Sequence, residues 1–191
     1  MCPYALGTND TILRGNSNCP TGWTVVNPDY HAETRVKYTS ASGLPDWEGT
    51  ITGPLSYYSN IPNYAYAEEI DVGYGVTTLG AWGLSDLNNL KTLTLPGSLT
   101  TIGNNACSNN YLLENVTLNE GITIIDTRMF SDCTSLTHLT IPRTVSSIDK
   151  GAFGNSSSSS SSVTPRAAEP VYYPSALTDV TMIGKTTSEV Q

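Results

Sequence analysis

A segment pattern that repeats with a 23-residue period through the middle of the chain limits its fold more than any other feature. The clearest copies are residues 90–95 (LKTLTL), 113–118 (LENVTL) and 136–141 (LTHLTI), and residues 67–72 (AEEIDV) precede them in the same register. A unit of this size cannot bury its own apolar side, so successive copies must stack and share one hydrophobic core. The period therefore predicts a solenoid.

Each copy contains a short alternation of apolar and polar residues, which predicts one half-buried β-strand per unit. Pro96 or Pro142 ends the strand in two copies, and a second apolar pair such as Leu99 and Ile102 then turns the chain back inward. The second half of the unit repeats as well, in two sets of aligned positions: Leu79, Ile102, Ile125 and Ile148, and Leu84, Cys107, Phe130 and Phe153. Stacked strands of this kind lie about 4.8 Å apart.

The segment of residues 136–153 (LTHLTIPRTVSSIDKGAF) resembles the BspA-like, Treponema pallidum-type leucine-rich repeat. The general leucine-rich repeat has Asn or Cys three residues after the last strand leucine. This chain has Ser98, Gly121 and Thr144 there, as the BspA-like variant allows. The resemblance covers about residues 67–153 and resumes at 177–185. It implies a mainly β leucine-rich-repeat solenoid with 23-residue units, preceded by a β-rich cap.

Three parts are predicted from the position of the repeats. Residues 1–30 show no periodicity and form an irregular arm, and residues 31–66 form the N-terminal cap, in which residues 34–51 resemble the β-rich segment that precedes such arrays. The solenoid occupies residues 67–191. The period places the start of its last unit at position 159, but the matching leucine is Leu177. The additional residues form an inserted Ser/Pro-rich loop at about 154–176, with seven consecutive serines.

The charge balance argues against nucleic acid as a partner. The chain has 9 basic and 17 acidic residues and a formal net charge of −8, without the basic stripe that nucleic acid binding requires.

No run of about 18 apolar residues is present, which argues against membrane insertion. The N-terminus lacks the basic and apolar segments of a signal peptide. The resemblance nevertheless implies an extracellular location or one on a cell or virion surface.

No pattern of catalytic residues is found, and we expect no enzyme activity, metal or cofactor. Only two histidines are present, and a thiol nucleophile made of Cys107 or Cys133 with His138 is disfavoured because the repeat register buries Cys107. The acidic residues Glu68, Glu69 and Asp71 are interpreted as solvated charge instead of a calcium site. Cys2 and Cys19 bracket a loop-rich segment and are candidates for a disulfide, whereas Cys107 and Cys133 lie in the repeats and are interpreted as buried free thiols.

The alternation also predicts which side chains the sheet presents to solvent, on the side that is concave in such solenoids. We call this side the ladder face. It comprises two columns of residues: Glu69, Thr92, Asn115, His138 and Asp179, and Asp71, Thr94, Thr117, Thr140 and Thr181. This face is a candidate binding surface, and a solvated β-sheet face without a ligand is the alternative.

Three Asn-x-Ser/Thr triplets are candidate glycosylation sites, at Asn9, Asn115 and Asn155. The adjoining serines Ser156, Ser157 and Ser158 are further candidates. Asn115 belongs to the ladder face, so a glycan there would obstruct binding.

The sequence is compatible with two functions. The preferred one is a structural subunit of an extracellular fibre or appendage, in which copies assemble head-to-tail through the N-terminal arm and the open ends of the solenoid. The alternative is a surface adhesin or receptor-binding module that recognises protein or glycan on the ladder face.

Overall fold

The structure, a computed structural model, describes residues 31–51, 53–56, 60–149, 151–154 and 177–182. Within these ranges the chain is built from short β-strands and two 3-10 helices, Ser40–Ser42 and Tyr64–Tyr66, and contains no α-helix. The predicted strand after each repeat start is present in every described unit. The fold is a mainly β leucine-rich-repeat solenoid, as the 23-residue period predicts.

Seven strands form the main sheet: β1 Thr34–Tyr38, β2 Trp47–Gly49, β3 Ala67–Asp71, β5 Thr92–Leu95, β7 Asn115–Leu118, β9 His138–Ile141 and β11 Asp179–Met182. Their order across the sheet is β11-β9-β7-β5-β3-β1-β2. Four shorter strands form two parallel pairs on the other side of the unit: β4 Thr78–Leu79 with β6 Thr101–Ile102, and β8 Ile124–Ile125 with β10 Ser147–Ile148.

Parallel pairing from β3 to β11 follows the sequence period. Thr92 aligns with Asn115, and Asn115 with His138, each one repeat period apart. His138 then aligns with Asp179 across the inserted loop. The insertion therefore lengthens the chain between two strands without shifting their register.

The interior is one continuous apolar column, because each unit contributes side chains at the same inward positions. Ile70, Leu93, Val116 and Leu139 are 0–2% exposed. On the opposite wall, Leu84, Cys107, Phe130 and Phe153 are also buried, as the alignment predicts. The rings of Phe130 and Phe153 stack with centroids 5.7 Å apart and planes inclined by 10°.

In the wall opposite the main sheet, successive turns stack with the same left-handed backbone conformation at equivalent positions. Two residues per turn have φ values of 57–60°: Trp82 and Asp86, Asn105 and Asn109, and Arg128 and Asp132. Between them, backbone N–H groups donate to the next turn, in the pairs Leu84 to Ala106, Cys107 to Met129, and Phe130 to Ala152, with N···O distances of 2.8–2.9 Å. These bonds satisfy buried backbone groups where no regular sheet is present.

At the position where the general repeat has Asn or Cys, two side chains of this chain form hydrogen bonds to the turn before them. The Ser98 hydroxyl donates to the carbonyl oxygen of Val76 at 2.7 Å, and the Thr144 hydroxyl donates to that of Ile122 at 2.8 Å. Each of these bonds joins one turn to the turn before it. The departure from the general pattern therefore places a hydroxyl in a bond between turns.

The N-terminal end of the column is covered by an antiparallel hairpin. Strand β1 runs antiparallel to β3 and to β2, and Val36 aligns with both Ile70 and Trp47. Val36 is 2% exposed, and the partly buried Trp47 packs on the core. Strands β1 and β2 thus lie within the β-rich segment expected before the array, while its domain boundaries stay a prediction.

Candidate functional site

The register of the strands assembles the ladder face as two columns of solvent-facing side chains. Position by position, Glu69 aligns with Thr92, then Asn115, His138 and Asp179. In the second column Asp71 aligns with Thr94, then Thr117, Thr140 and Thr181. The alternating pattern buries the residues between them, as in β7, where Val116 and Leu118 are buried and Asn115 and Thr117 are half-buried.

The centre of this face is uncharged and rich in hydrogen-bonding groups. Thr92, Thr94, Thr117 and Thr140 are half-buried, so their hydroxyls lie close to the sheet and have few rotamers to lose on binding. The exposed His138 stands beside them, with its Nδ1 atom 2.8 Å from the Thr137 hydroxyl. The centre therefore presents hydroxyl, amide and imidazole groups in fixed rows.

The N-terminal part of the face is charged, and its charges are paired. Lys37 Nζ lies 2.5 Å from Glu69 Oε1, and Lys91 Nζ lies 2.7 Å from Glu68 Oε1. The hydrogen bond from Lys91 lowers the pKa of Glu68 from its ordinary value, and the bond to Glu69 raises the pKa of Lys37. The side chains of this cluster are accessible to solvent, and in addition a basic side chain contacts each of the two glutamates.

A bulge explains why two consecutive glutamates reach solvent. The register between β1 and β3 shifts between Lys37 and Tyr38, so that Lys37 aligns with Glu69 and Tyr38 with Ala67. Glu68 is the additional residue of the bulge, and it is half-buried, as is Glu69. Simple alternation placed Glu68 on the opposite side of the sheet from Glu69.

His31 completes this end of the face and was missed at the level of sequence. Its Nε2 atom lies 2.7 Å from Asp71 Oδ2, and its Nδ1 atom contacts the carbonyl oxygen of Glu33. The residue is 7% exposed, and its own carbonyl accepts from the N–H of Tyr74 at 2.9 Å. The chain entering β1 is thereby fastened to the strand and turn that open the array.

The close approach of this segment also depends on Gly73. A Cβ atom there would lie 2.3 Å from the carbonyl oxygen of Ala32, and the Gly73 N–H donates to the Thr34 hydroxyl at 3.0 Å. No sequence period could reveal these contacts, because His31 and Gly73 lie in segments that meet only once in the fold.

A second network that sequence reasoning missed surrounds Asn110, which is fully buried. Its Oδ1 accepts from the N–H of Leu87 at 2.9 Å, and its Nδ2 donates to the carbonyls of Leu84 and Cys107 at 2.8 and 2.9 Å. In the next turn the Cys133 thiol takes the equivalent place and contacts the Cys107 carbonyl, with an S···O distance of 3.3 Å. A signal was available, since Leu87, Asn110 and Cys133 follow one another at the repeat period.

The two described cysteines are free and buried. Burial raises the pKa of the Cys133 thiol to about 12 and holds that of Cys107 well above its usual value. Neutral thiols are poor nucleophiles. His138 is on the exposed side of the sheet, so the structure does not bring it together with these thiols in a solvent-accessible site.

Other predicted sites fall outside the described residues: Cys2, Cys19, Asn9, Asn155, Ser156, Ser157 and Ser158. Asn115 is described and half-buried in β7. Within the described ranges, no three His, Cys, Asp or Glu side chains come together as metal ligands. Those ranges also contain no helix long and apolar enough to cross a membrane.

Comparison with known proteins identifies the family. The model of the BspA type leucine rich repeat region matches residues 58–172 in six copies, which is more than half of the chain. The chain therefore belongs to the BspA-type leucine-rich-repeat family. No curated protein matches it in sequence.

Two crystal structures of bacterial proteins are similar to this chain. One is a leucine rich cell surface protein from Faecalibacterium prausnitzii A2-165, with 20% identity and a TM-score of 0.43, covering 64% of this chain and 33% of that one. The other is a leucine-rich repeat protein from Eubacterium ventriosum ATCC 27560, with 19% identity and a TM-score of 0.38, covering 57% and 34%. The chain thus spans about a third of the length of each protein.

Proposed function

We propose that this chain is a non-catalytic recognition module on a cell or virion surface or outside the cell, and that its ladder face binds a protein or a glycan. The observation that carries this proposal is the composition of the face along its length. Paired charges occupy the N-terminal strands, whereas hydroxyl, amide and imidazole groups occupy the strands from β5 to β9.

Such a surface suits ligands that hydrogen-bond without carrying a large charge. Threonine hydroxyls both donate and accept, and neighbouring rows repeat the same group at the spacing of the strands, about 4.8 Å. The side chains are held by the sheet, so ordering them on binding has a small entropic cost. Repeat arrays of this kind also present an extended surface along the stacked strands, which suits a recognition role.

The test is a binding screen of the full chain against glycans and extracellular-matrix proteins, followed by two matched variants. Thr117→Arg places a bulky cation in the centre of the ladder face. Thr101→Arg places the same residue at the exposed position in β6, away from that face. We expect Thr117→Arg to weaken binding about tenfold or more and Thr101→Arg to leave it unchanged.

Two results contradict the proposal. One is the absence of binding to any member of the screen, and the other is an equal loss of binding in both variants. Mass spectrometry of the native protein supplies a separate check, because a glycan on Asn115 would cover the centre of the face and rule out docking there.

A structural subunit of an extracellular fibre or appendage is the second candidate, favoured by the sheet edge at β11, which no other described strand pairs with. Val180 occupies an inward position but is 39% exposed. Head-to-tail stacking of copies would cover it and extend the sheet from one copy to the next. Electron microscopy of the native protein separates the two candidates: regular filaments support the fibre, and isolated particles favour the recognition module.

A further inference from the structure

Strand β11, the last of the described strands, pairs among them with β9 alone, so its other edge has no partner in the described part of the chain. Thr178, Asp179, Val180 and Thr181 are all exposed. Val180 continues the inward column of Val116 and Leu139, which are 2% and 1% exposed, yet its own exposure is 39%. An exposed edge combined with an exposed apolar side chain is a place where another strand can add.

The backbone groups of Val180 face this free edge. In a parallel strand, alternate residues direct both N–H and C=O to the same neighbour. The N–H of Asp179 donates to Thr137, on the β9 side, so the next residue, Val180, points the other way. The inner turns show the same alternation, since the N–H of Val72, an inward residue like Val180, donates to Thr94 of the following strand.

We propose that two copies of this chain form a twofold dimer by antiparallel pairing of β11, with the symmetry axis passing between the two Val180 residues. Each Val180 donates its N–H to the carbonyl of the other, with the two Cα atoms about 5.5 Å apart. Asp179 then stands opposite Thr181 of the second copy, and Thr178 opposite Met182. Such an interface is self-complementary, as a twofold dimer requires.

Charge favours this pairing over head-to-tail stacking. Glu48 aligns with Arg35 and Trp47 with Val36, so Asp46 continues the column in which Lys37 aligns with Glu69. Asp179 belongs to the same column. A head-to-tail stack that kept the columns in register would place Asp179 beside Asp46 of the next copy, whose Oδ1 accepts from the Tyr38 N–H, and neighbouring like charges destabilise a sheet. The twofold arrangement places the Asp179 carboxylate opposite a hydroxyl.

The axis is perpendicular to the sheet, so it keeps both ladder faces on the same side. The two Val180 side chains lie together on the core side, and two seven-stranded sheets join edge to edge. A dimer of this kind offers two copies of the same surface in one plane, which suits binding to a repetitive target. The proposal does not depend on what the ladder face binds.

The first test measures the oligomeric state of the full chain by sedimentation over a range of concentrations. We expect a monomer–dimer equilibrium that does not proceed to larger species. Val180→Lys brings two cations together at the axis and should raise the dimer dissociation constant about tenfold or more. Thr123→Lys, at an exposed position outside the main sheet, is the matched control and should leave the constant unchanged.

The second test is a crosslink that reports the symmetry. The Cα separation expected at the axis lies within the disulfide range of about 4.4–6.8 Å. Val180→Cys should therefore form a disulfide between two copies under mild oxidation, and peptide mapping should place it at position 180 in both. The unsubstituted chain, treated in the same way, accounts for linkages through the native cysteines.

Three results overturn the proposal. One is a chain that stays monomeric at every concentration up to about 1 mM, and another is a dimer that Val180→Lys leaves intact. The third is a series of ever larger oligomers in which Val180→Cys does not link to itself, since that behaviour belongs to head-to-tail stacking.

Discussion

The two ends of the main sheet differ in how well they shield the apolar column from solvent. At the N-terminal end, the antiparallel hairpin of β1 and β2 covers the column, and Val36 is 2% exposed. At the C-terminal end, β11 runs parallel like the strands before it, and Val180 is 39% exposed. A strand of the repeat can always pair with the strand of a following repeat unit. A hairpin that reverses direction instead ends the series of parallel strands.

Polar contacts show the same contrast. The N-terminal end holds the His31–Asp71 contact and the ion pairs Lys37–Glu69 and Arg35–Glu48. At the other end, the exposed Asp179 stands next to the exposed His138 in the same column. One end is thus held by contacts that are specific to it, while the other reproduces the general pattern of the repeat.

The largest expected difference between the interior and the open end is in thiol chemistry. Burial raises the pKa of Cys133 to about 12, so its thiolate population at pH 8 is about 10³-fold below that of a free cysteine. Alkylation of the native Val180→Cys variant, followed by peptide mapping, should modify position 180 rapidly and Cys107 and Cys133 only on unfolding. Rapid modification of all three would contradict a closed column.

The same thiols predict a loss of stability at alkaline pH. Their pKa values are higher in the folded state than in the unfolded chain, so folding favours the protonated form. The free energy of unfolding should therefore fall as the pH rises from about 8.5 towards 12. Replacing both cysteines by alanine should weaken this pH dependence, and an unchanged profile would argue that other groups cause it.

Identical valine truncations measure the two ends directly. Val36→Ala should lower the free energy of unfolding by about 2–3 kcal/mol, because it opens space in a closed interior. Val180→Ala should lower it by less than about 1 kcal/mol, since the side chain is already in contact with water. Urea unfolding of both variants at low protein concentration checks this, with Val116→Ala as the interior reference. Equal losses in the free energy of unfolding at positions 36 and 180 would contradict the difference in burial between the two ends.

The two histidines offer a smaller contrast. His31→Ala removes the contacts to Asp71 and to the Glu33 carbonyl and should destabilise the fold by about 1–2 kcal/mol. His138→Ala, at an exposed position, should change stability by less than about 0.5 kcal/mol. Thermal unfolding of the two variants in parallel provides the comparison. A larger effect at His138 would mean that the open end carries a structural contact absent from the described residues.

The smallest expected effect concerns the ion pair of Lys91 with Glu68. Both side chains are accessible, and solvent screens pairs of this kind so that they contribute little to stability. Lys91→Met should therefore change stability only slightly, and the change should vanish in high salt. A large effect that persists in salt would show that Lys91 packs its aliphatic stem on the cap.

Much of the fold could be predicted because the same positions recur in every repeat unit. Leu93, Val116 and Leu139 occupy one column because they hold the same place in successive units, and the alternation around them assigns Thr94, Thr117 and Thr140 to the opposite face. The ladder face was predictable down to its residues for this reason. Its role in binding stays a proposal, since a pattern of threonines also suits a solvated sheet.

The sequence by itself thus determined the solenoid, its register and the side of the sheet on which each repeated residue lies, because a period constrains every copy at once. Only the tertiary structure decided the contacts that occur a single time. His31 reaches Asp71 across 40 residues, and Lys37 of the cap reaches Glu69 across 32. Such contacts depend on how the cap docks on the first turn, and one unrepeated pair of residues leaves no signal in a single sequence.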